Sequence, residues 1–287
     1  MGSARVSLLL ENIKFAHTIF ALPFAYTGMI LAAGSPPAAP QFLWVTLAMA
    51  GARTLAMSAN RLIDAEIDAR NSRTAHRPLP RGLVRPGEVW LMALLSLAVF
   101  FCAAWRLNTL TLTLAPVALL WLVGYSYTKR FTSLSHWVLG ITDGAAAAGG
   151  WIAVTGRFEP GTWLLWVTVA LWIAGFDLMY ACQDVEFDRR EGLYSVPARF
   201  GVAAALRLAR LCHGLTSLCL LALGLLMGLG PLYWLGWLAA TALLAHENRL
   251  LRPRDLSRLN VAFFNVNGYI SVMVFLAVLA DRVALGG

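Results

Sequence analysis

Apolar residues recur along this chain in long unbroken blocks, not in the alternating or one-faced patterns of soluble strands and helices. Nine blocks lie at roughly 15–33, 42–62, 89–105, 110–127, 134–154, 163–182, 211–229, 232–245 and 261–280. About 20 apolar residues in a helix cross the hydrocarbon core of a bilayer, so each block reads as a membrane span. Pro36, Pro37 and Pro40 mark the first turn, Gly156 to Gly161 another, and Gly230-Pro231 a turn so short that it fits a kink as well as a hairpin. The pattern predicts an all-α integral membrane protein with nine transmembrane helices in a bundle. It forms one domain over residues 1–287, with no soluble domain boundary and no repeat of 20–50 residues.

Composition agrees with the pattern. The residues A, V, I, L, M, F, W, Y and C make up 59% of the chain and charged residues 13%, against about 25% charged in a typical soluble domain. That excludes a disordered chain, a collagen-like fibre and a water-soluble globule. Cys102, Cys182, Cys212 and Cys219 fall in or beside apolar blocks with no CxxC pair, and read as small buried apolar residues, not as a disulfide or zinc set. The short apolar run at the N-terminus has no small-residue cleavage site after it, so a removable signal is not expected.

The net charge of +8 would point to nucleic acid in a soluble protein; here its placement sets orientation. With the N-terminus in the cytoplasm, alternation through nine spans leaves Arg106, Arg157 and Arg282 on the outer side. Arg61 to Arg85, Lys129 and Arg130, Arg189 to Arg210, and Arg249 to Arg258 all fall inside. Removing one span would send several of these loops outward. The expected location is therefore the cell inner membrane, with membrane lipid as a partner and no nucleic acid.

Candidate chemistry lies at the inner face. The second span ends in NRLIDAEIDARN and the sixth in FDLMYACQDVEFDRR. If the helices continue, a spacing of four puts Asn60, Asp64 and Asp68 on one stripe and Asp184 and Asp188 on another, above Tyr180 and Asp177. Glu66 and Glu186 then point elsewhere. Facing rows of carboxylates repel one another and need a cation; a hard divalent ion such as Mg²⁺ accepts oxygen ligands and leaves positions for phosphate oxygens. No His or Cys cluster favours a softer metal. Carboxylate, Mg²⁺ and the guanidinium groups of the same loops together suit a diphosphate. The plainer alternative is a pair of solvated helix ends with local salt bridges. A diphosphate site opening into an apolar bundle points to an isoprenoid diphosphate, whose departing negative charge the metal and basic groups stabilise.

These motifs carry a resemblance. NRLIDAEIDARN matches the NxxxDxxxD motif, and DVEFD the DxxxD motif, of the UbiA superfamily of membrane prenyltransferases. KFAHTIFALPFAY, RTAHRPLPRG, YSYTKRFT, GGWIAVTG and DVEFDRREGLYSVPARFG resemble its 4-hydroxybenzoate polyprenyltransferase branch and the similar branch of futalosine-route menaquinone synthesis. The resemblance implies nine helices around a central cavity and two Mg²⁺ ions bridging a prenyl diphosphate. The metal ligands would be Asn60, Asp64, Asp68, Asp184 and Asp188. Tyr125 and Lys129 match a YxxxK pattern that implies a diphosphate contact, and Arg61, Arg70 and Arg77 are further candidates for it. The implied reaction joins a polyprenyl group to a ring carbon of an aromatic hydroxy acid in quinone biosynthesis, 4-hydroxybenzoate-like or alternatively a hydroxynaphthoate. Asp64 and Asp184 are the catalytic candidates, Asp184 through the acceptor's phenol. No obligate protein partner is expected.

Several residues read two ways. Arg53, within the second span and seven residues before Asn60, is costly at that depth; it would meet the acceptor's carboxylate or pair with Asp177 or Asp143. Asp177 would serve the acceptor side or a structural pair. Asp143, among small residues, reads as a buried Asp bonded to a neighbouring helix. Lys14 would snorkel, His17 would pack, His76 would be a solvated loop residue, and Tyr180 and Phe176 would wall a cavity. A divalent cation transporter is the rival function, although no matching acid pair lies on the outer side. A non-catalytic membrane scaffold would explain the composition but neither acidic stripe.

Overall fold

The computed structural model describes residues 3–13, 18–259 and 261–285; Lys14 and His17 lie outside the described residues. The described chain is helical, with one isolated bridge, Arg252 to Asp255, and no sheet. Seven described helices are long and apolar enough to cross a membrane: α3 (Ala39–Ile63), α5 (Pro86–Leu107), α6 (Thr109–Thr128), α7 (Ser135–Thr155), α8 (Pro160–Tyr180, the helical run continuing to Arg190), α11 (Val202–Leu226) and α13 (Asn267–Leu285). Helices of this length and hydropathy are those of an integral membrane protein.

Nine spans were expected; α2 and α12 fall short of the seven, α2 by its length and α12 by its polar end. In α2 (Thr18–Ala33) the described apolar helix is the short stretch Leu22–Ala33. Helix α12 (Pro231–Leu250) ends in His246, Glu247, Asn248 and Arg249, which dilute its hydropathy. The Gly230-Pro231 turn is a true hairpin, closed by positive φ at Gly228 and by Pro231 in the first turn of α12.

Contacts gather the chain into two units, Met1–Ile19 with Leu43–Tyr127, and Phe20–Phe42 with Thr128–Gly287. In the first, α1 (Ser3–Asn12) is tied to the rest by polar groups. Arg5 Nε donates to Glu88 Oε1 at 2.7 Å, the Asn12 carbonyl accepts from Arg61 Nε at 2.9 Å, and Asn12 Oδ1 accepts from the Leu79 N–H at 3.3 Å. Leu9, Leu79, Val84 and Val89 close a small apolar cluster beneath these bonds. Helices α3 and α5 cross at Gly51, where a Cβ would come within 2.9 Å of the Ser96 carbonyl.

The second unit has the larger core. Phe24, Trp151, Leu165, Trp172, Leu223, Tyr233 and Ile270 belong to one buried cluster. Backbones approach closely where α7 carries glycine: a Cβ on Gly150 would lie 2.0 Å from the Ala25 carbonyl of α2, and one on Gly140 would lie 2.3 Å from the Ala170 carbonyl of α8. Small residues replace a hydrophobic driving force between helices in lipid, because close packing is what remains. At the other end, buried Asp281 accepts the N–H of Gly230 at 2.8 Å and of Tyr233 at 3.3 Å, capping α12 from α13.

Candidate functional site

The first acidic motif sits where α3 stops. Asp64 leaves helical geometry at φ −97°, ψ 6°, and a six-residue helix, α4 (Ala65–Arg70), restarts behind it. The break does not lose the register. The Asp64 N–H still reaches the Asn60 carbonyl at 2.9 Å, and the Asp68 N–H the Asp64 carbonyl at 2.7 Å. Asn60, Asp64 and Asp68 therefore follow one another at one-turn intervals, as the spacing of four predicts. Asp64 and Asp68 are buried and Glu66 is exposed, so the two acids turn inward and the glutamate outward.

Each buried group in this motif has a defined partner. Asn60 Nδ2 donates to Asp64 Oδ2 at 2.9 Å and to Ser126 Oγ of α6 at 3.2 Å. Arg61, 5% exposed, gives Nη1 to Asn60 Oδ1 at 3.0 Å and lies 3.7 Å from Asp68 Oδ2. Arg77 Nη1 meets the same oxygen at 2.6 Å. The Thr74 hydroxyl donates to the Asp68 carbonyl at 2.9 Å and folds the 71–77 segment back over the motif. Two of the predicted diphosphate contacts, Arg61 and Arg77, are thus engaged with the motif's own acids. Arg70 and His76 are exposed, and Tyr125 lies within electrostatic reach of Arg61.

The second motif repeats this local architecture. Helix α8 gives way to a tight 3₁₀ turn, Ala181–Asp184; Asp184 adopts φ −104°, ψ 10°, and α9 (Val185–Arg190) follows. The expected continuous stripe above Tyr180 and Asp177 is corrected here. Three residues per turn in place of 3.6 rotates Asp184 relative to residues below it, and Tyr180 instead packs beside the Leu178, Cys182 and Val196 cluster. Asp188 is buried and Glu186 exposed. Gly192, at φ +69°, reverses the chain after α9. The reversal lets the Leu193 N–H bond the Asp188 carbonyl at 2.8 Å and the Tyr194 N–H bond the Lys129 carbonyl at 2.7 Å. The Ser195 hydroxyl then donates to Asp188 Oδ2 at 2.5 Å. Asp188 also experiences repulsion from Asp184 and attraction from Lys129.

Asp177 has a partner that the spacing argument missed. His136 Nδ1 lies 2.7 Å from Asp177 Oδ2, with the ring 4% and the carboxylate 24% exposed. His136 stands at the start of α7, 41 residues away, and its only sequence signal is that it follows the YSYTKRFT block. The second missed feature is the pattern D-x-E-x-D-x-R, which occurs at Asp64 to Arg70 and again at Asp184 to Arg190, a recurrence too widely spaced for a search at 20–50 residues. In α3, Arg53 Nε is buried with no hydrogen-bond partner among the described residues. Phe176 packs edge-on to Trp172 at 5.1 Å.

The donor chemistry of these motifs fits a hard divalent cation. The oxygens on offer are carboxylate and amide oxygens, and Asp64 is a carboxylate held at 2% exposure, a burial whose cost a bound cation would offset. Among the described residues no three His, Cys, Asp or Glu side chains converge as a metal-holding group; Asp68 and Asp188 are held by Arg77 and Ser195 instead.

Residues 21–269 match the model of the UbiA prenyltransferase family. The 4-hydroxybenzoate octaprenyltransferase of Aeromonas salmonicida is 34% identical over 260 residues, 88% of this chain and 86% of that protein. The enzyme of the same name from Alkalilimnicola ehrlichii is 33% identical over 79% of this chain and 77% of its own length. Among solved structures, a UbiA homologue from Aeropyrum pernix superposes with a TM-score of 0.85 at 32% identity, covering 93% of this chain and 98% of that one. One from Archaeoglobus fulgidus, bound to GPP and Mg²⁺, shares the fold at a TM-score of 0.70 and 17% identity, over 95% of this chain and 99% of that one.

Proposed function

The chain belongs to the UbiA prenyltransferase family and is a prenyltransferase; from that premise we propose that it prenylates a 4-hydroxybenzoate-like acid from a polyprenyl diphosphate, with Mg²⁺, in quinone biosynthesis. In this reading the chain is one domain over residues 1–287 with nine spans and its N-terminus in the cytoplasm, and the reaction takes place at the inner face of the cell inner membrane. The observation that carries this reading is the recurrence of one acidic turn, at Asp64 and at Asp184, with the same backbone geometry. The names of the relatives support the acceptor, and the Archaeoglobus homologue's GPP and Mg²⁺ support the donor and the metal. With enzymatic family membership shown, the cation-transporter reading falls away.

Asn60, Asp64, Asp68, Asp184 and Asp188 would hold Mg²⁺, whose role when bound is to neutralise charge on the departing diphosphate. The chain's own groups do the rest. Lys129, Tyr125 and Arg70 orient the diphosphate, while Arg61 and Arg77, paired with Asp68, exchange toward phosphate oxygens when these arrive. The bond from the allylic carbon to diphosphate oxygen breaks, the ring carbon ortho to the phenol bonds to that carbon, and loss of a ring proton restores aromaticity. Arg53, whose Nε lacks a protein partner among the described residues, receives the acceptor's carboxylate, with Asp177 beside the acceptor and Asp184 polarising its phenol. The surrounding apolar helices exclude water that would quench an allylic cation.

Purified protein given Mg²⁺, geranyl diphosphate and either 4-hydroxybenzoate or a hydroxynaphthoate tests the reading. A C-prenylated benzoate is expected; turnover of the naphthoate alone would reassign the acceptor, and turnover of neither would overturn the proposal.

A further inference from the structure

His136 joins the Asp177 carboxylate to the segment that holds Asp188. Its Nε2 accepts the Val196 N–H at 3.1 Å. A backbone amide can only donate, so the ring proton is on Nδ1, which donates to Asp177 Oδ2 at 2.7 Å. The residue before Val196 is Ser195, whose hydroxyl donates to Asp188. The ring is 4% exposed, closed in by α7, α8 and α10 (Val196–Phe200), so both bonds are shielded from competing water.

We propose that His136 is a positioning residue for prenyl transfer: its Nδ1–H aims the Asp177 carboxylate at the aromatic acceptor, and its Nε2 anchors the Ser195–Val196 turn that orients Asp188. The inference rests on the function proposed above. The residue touches neither substrate. It acts through two groups that serve different halves of the reaction, and a ring with two inequivalent nitrogens can fix both at once. Orientation of this kind is the usual work of the residues behind metal ligands and substrate-binding carboxylates.

The two contacts separate by substitution, because Asn carries its amide N–H₂ where Nδ1 stands and Gln carries its carbonyl where Nε2 stands. In H136N the Asp177 bond survives and the Val196 bond is lost; in H136Q the reverse holds. Full-length protein in detergent is assayed for the KM of the aromatic acid. Mn²⁺ binding in the presence of inorganic diphosphate is measured separately by electron paramagnetic resonance, without turnover. H136Q should raise the acceptor KM at least tenfold and leave Mn²⁺ affinity within twofold; H136N should weaken Mn²⁺ at least fivefold and leave the acceptor KM within twofold. Variants that lower kcat alone, or that move both quantities together, overturn the inference while the proposed function stands. A wild-type enzyme that turns over no aromatic acid overturns the proposed function and the acceptor half of this one. ¹⁵N spectra of histidine-labelled protein, with the His136 signal identified by its loss in H136Q, should show the Nδ1–H tautomer; the Nε2–H tautomer overturns the inference by itself.

Discussion

Asp64 and Asp184 end their helices in the same conformation, φ −97°, ψ 6° and φ −104°, ψ 10°, and each precedes a six-residue helix with Glu, Asp and Arg at alternate positions. A free helix N-terminus presents unpaired N–H groups and a partial positive charge. Placing a carboxylate there, with a second carboxylate one turn later, builds a short anionic element twice on one chain. The first is stabilised by arginine, through Arg77 and Arg61 at Asp68, and the second by a hydroxyl, through Ser195 at Asp188.

That difference predicts unequal sensitivity. R77M leaves the buried Asp68 charge to Arg61 at 3.7 Å, and removing one partner of a buried pair costs roughly 3 kcal/mol. R77M should lower the melting temperature in detergent markedly, D68N/R77M should recover most of the loss, and S195A should cost about 1 kcal/mol. Equal effects of R77M and S195A would contradict the assignment.

The α12 cap from Asp281 makes a stability prediction remote from the chemistry. D281A orphans the N–H groups of Gly230 and Tyr233 and should cost roughly 1–2 kcal/mol, read as a lower melting temperature. D281N, which retains an acceptor oxygen, should lose less.

Helix α7 should tolerate alanine very unevenly. G150A drives a methyl into the Ala25 carbonyl and G140A into the Ala170 carbonyl, whereas Gly149 faces open space. G140A and G150A should each reduce the yield of folded protein by at least several-fold, measured by size-exclusion profile, and G149A should match wild type.

Low pH should release one loop. Glu159, ahead of α8, accepts from the Trp151 indole at 2.9 Å and from Arg157 Nε at 2.6 Å. These bonds hold its carboxyl below the usual glutamate range. A depressed folded pKa contributes stability that is complete above the unfolded value of about 4.3 and lost as pH falls through the lower, folded one. Melting temperatures followed from pH 6 to pH 3 should fall less steeply in E159Q than in wild type.

Much of this was legible in the chain because the signals are local. Block length reports spans, and spacing of four reports the stripe Asn60, Asp64 and Asp68, which survives the break at Asp64 because the backbone bonds through it keep their register. Loss of register above Tyr180 was not legible: nothing in ACQD distinguishes a 3₁₀ turn from an α-helical one before packing chooses. Partnerships across the sequence were hidden for a similar reason. Asp177 could have paired with any cation at its depth, and only the fold delivers His136 to it. Arg61 and Arg77 looked like free loop cations, but burial of Asp68 recruits them.

The central claim, that both acidic turns hold the metal and through it the diphosphate, is tested most directly by binding without turnover. Calorimetric titration of geranyl diphosphate into the detergent-solubilised protein should show binding in Mg²⁺ and none in EDTA. D64N and D184N should each weaken it at least a hundredfold, while D281N binds like wild type. Undiminished binding in EDTA, or in either motif variant, would contradict the account.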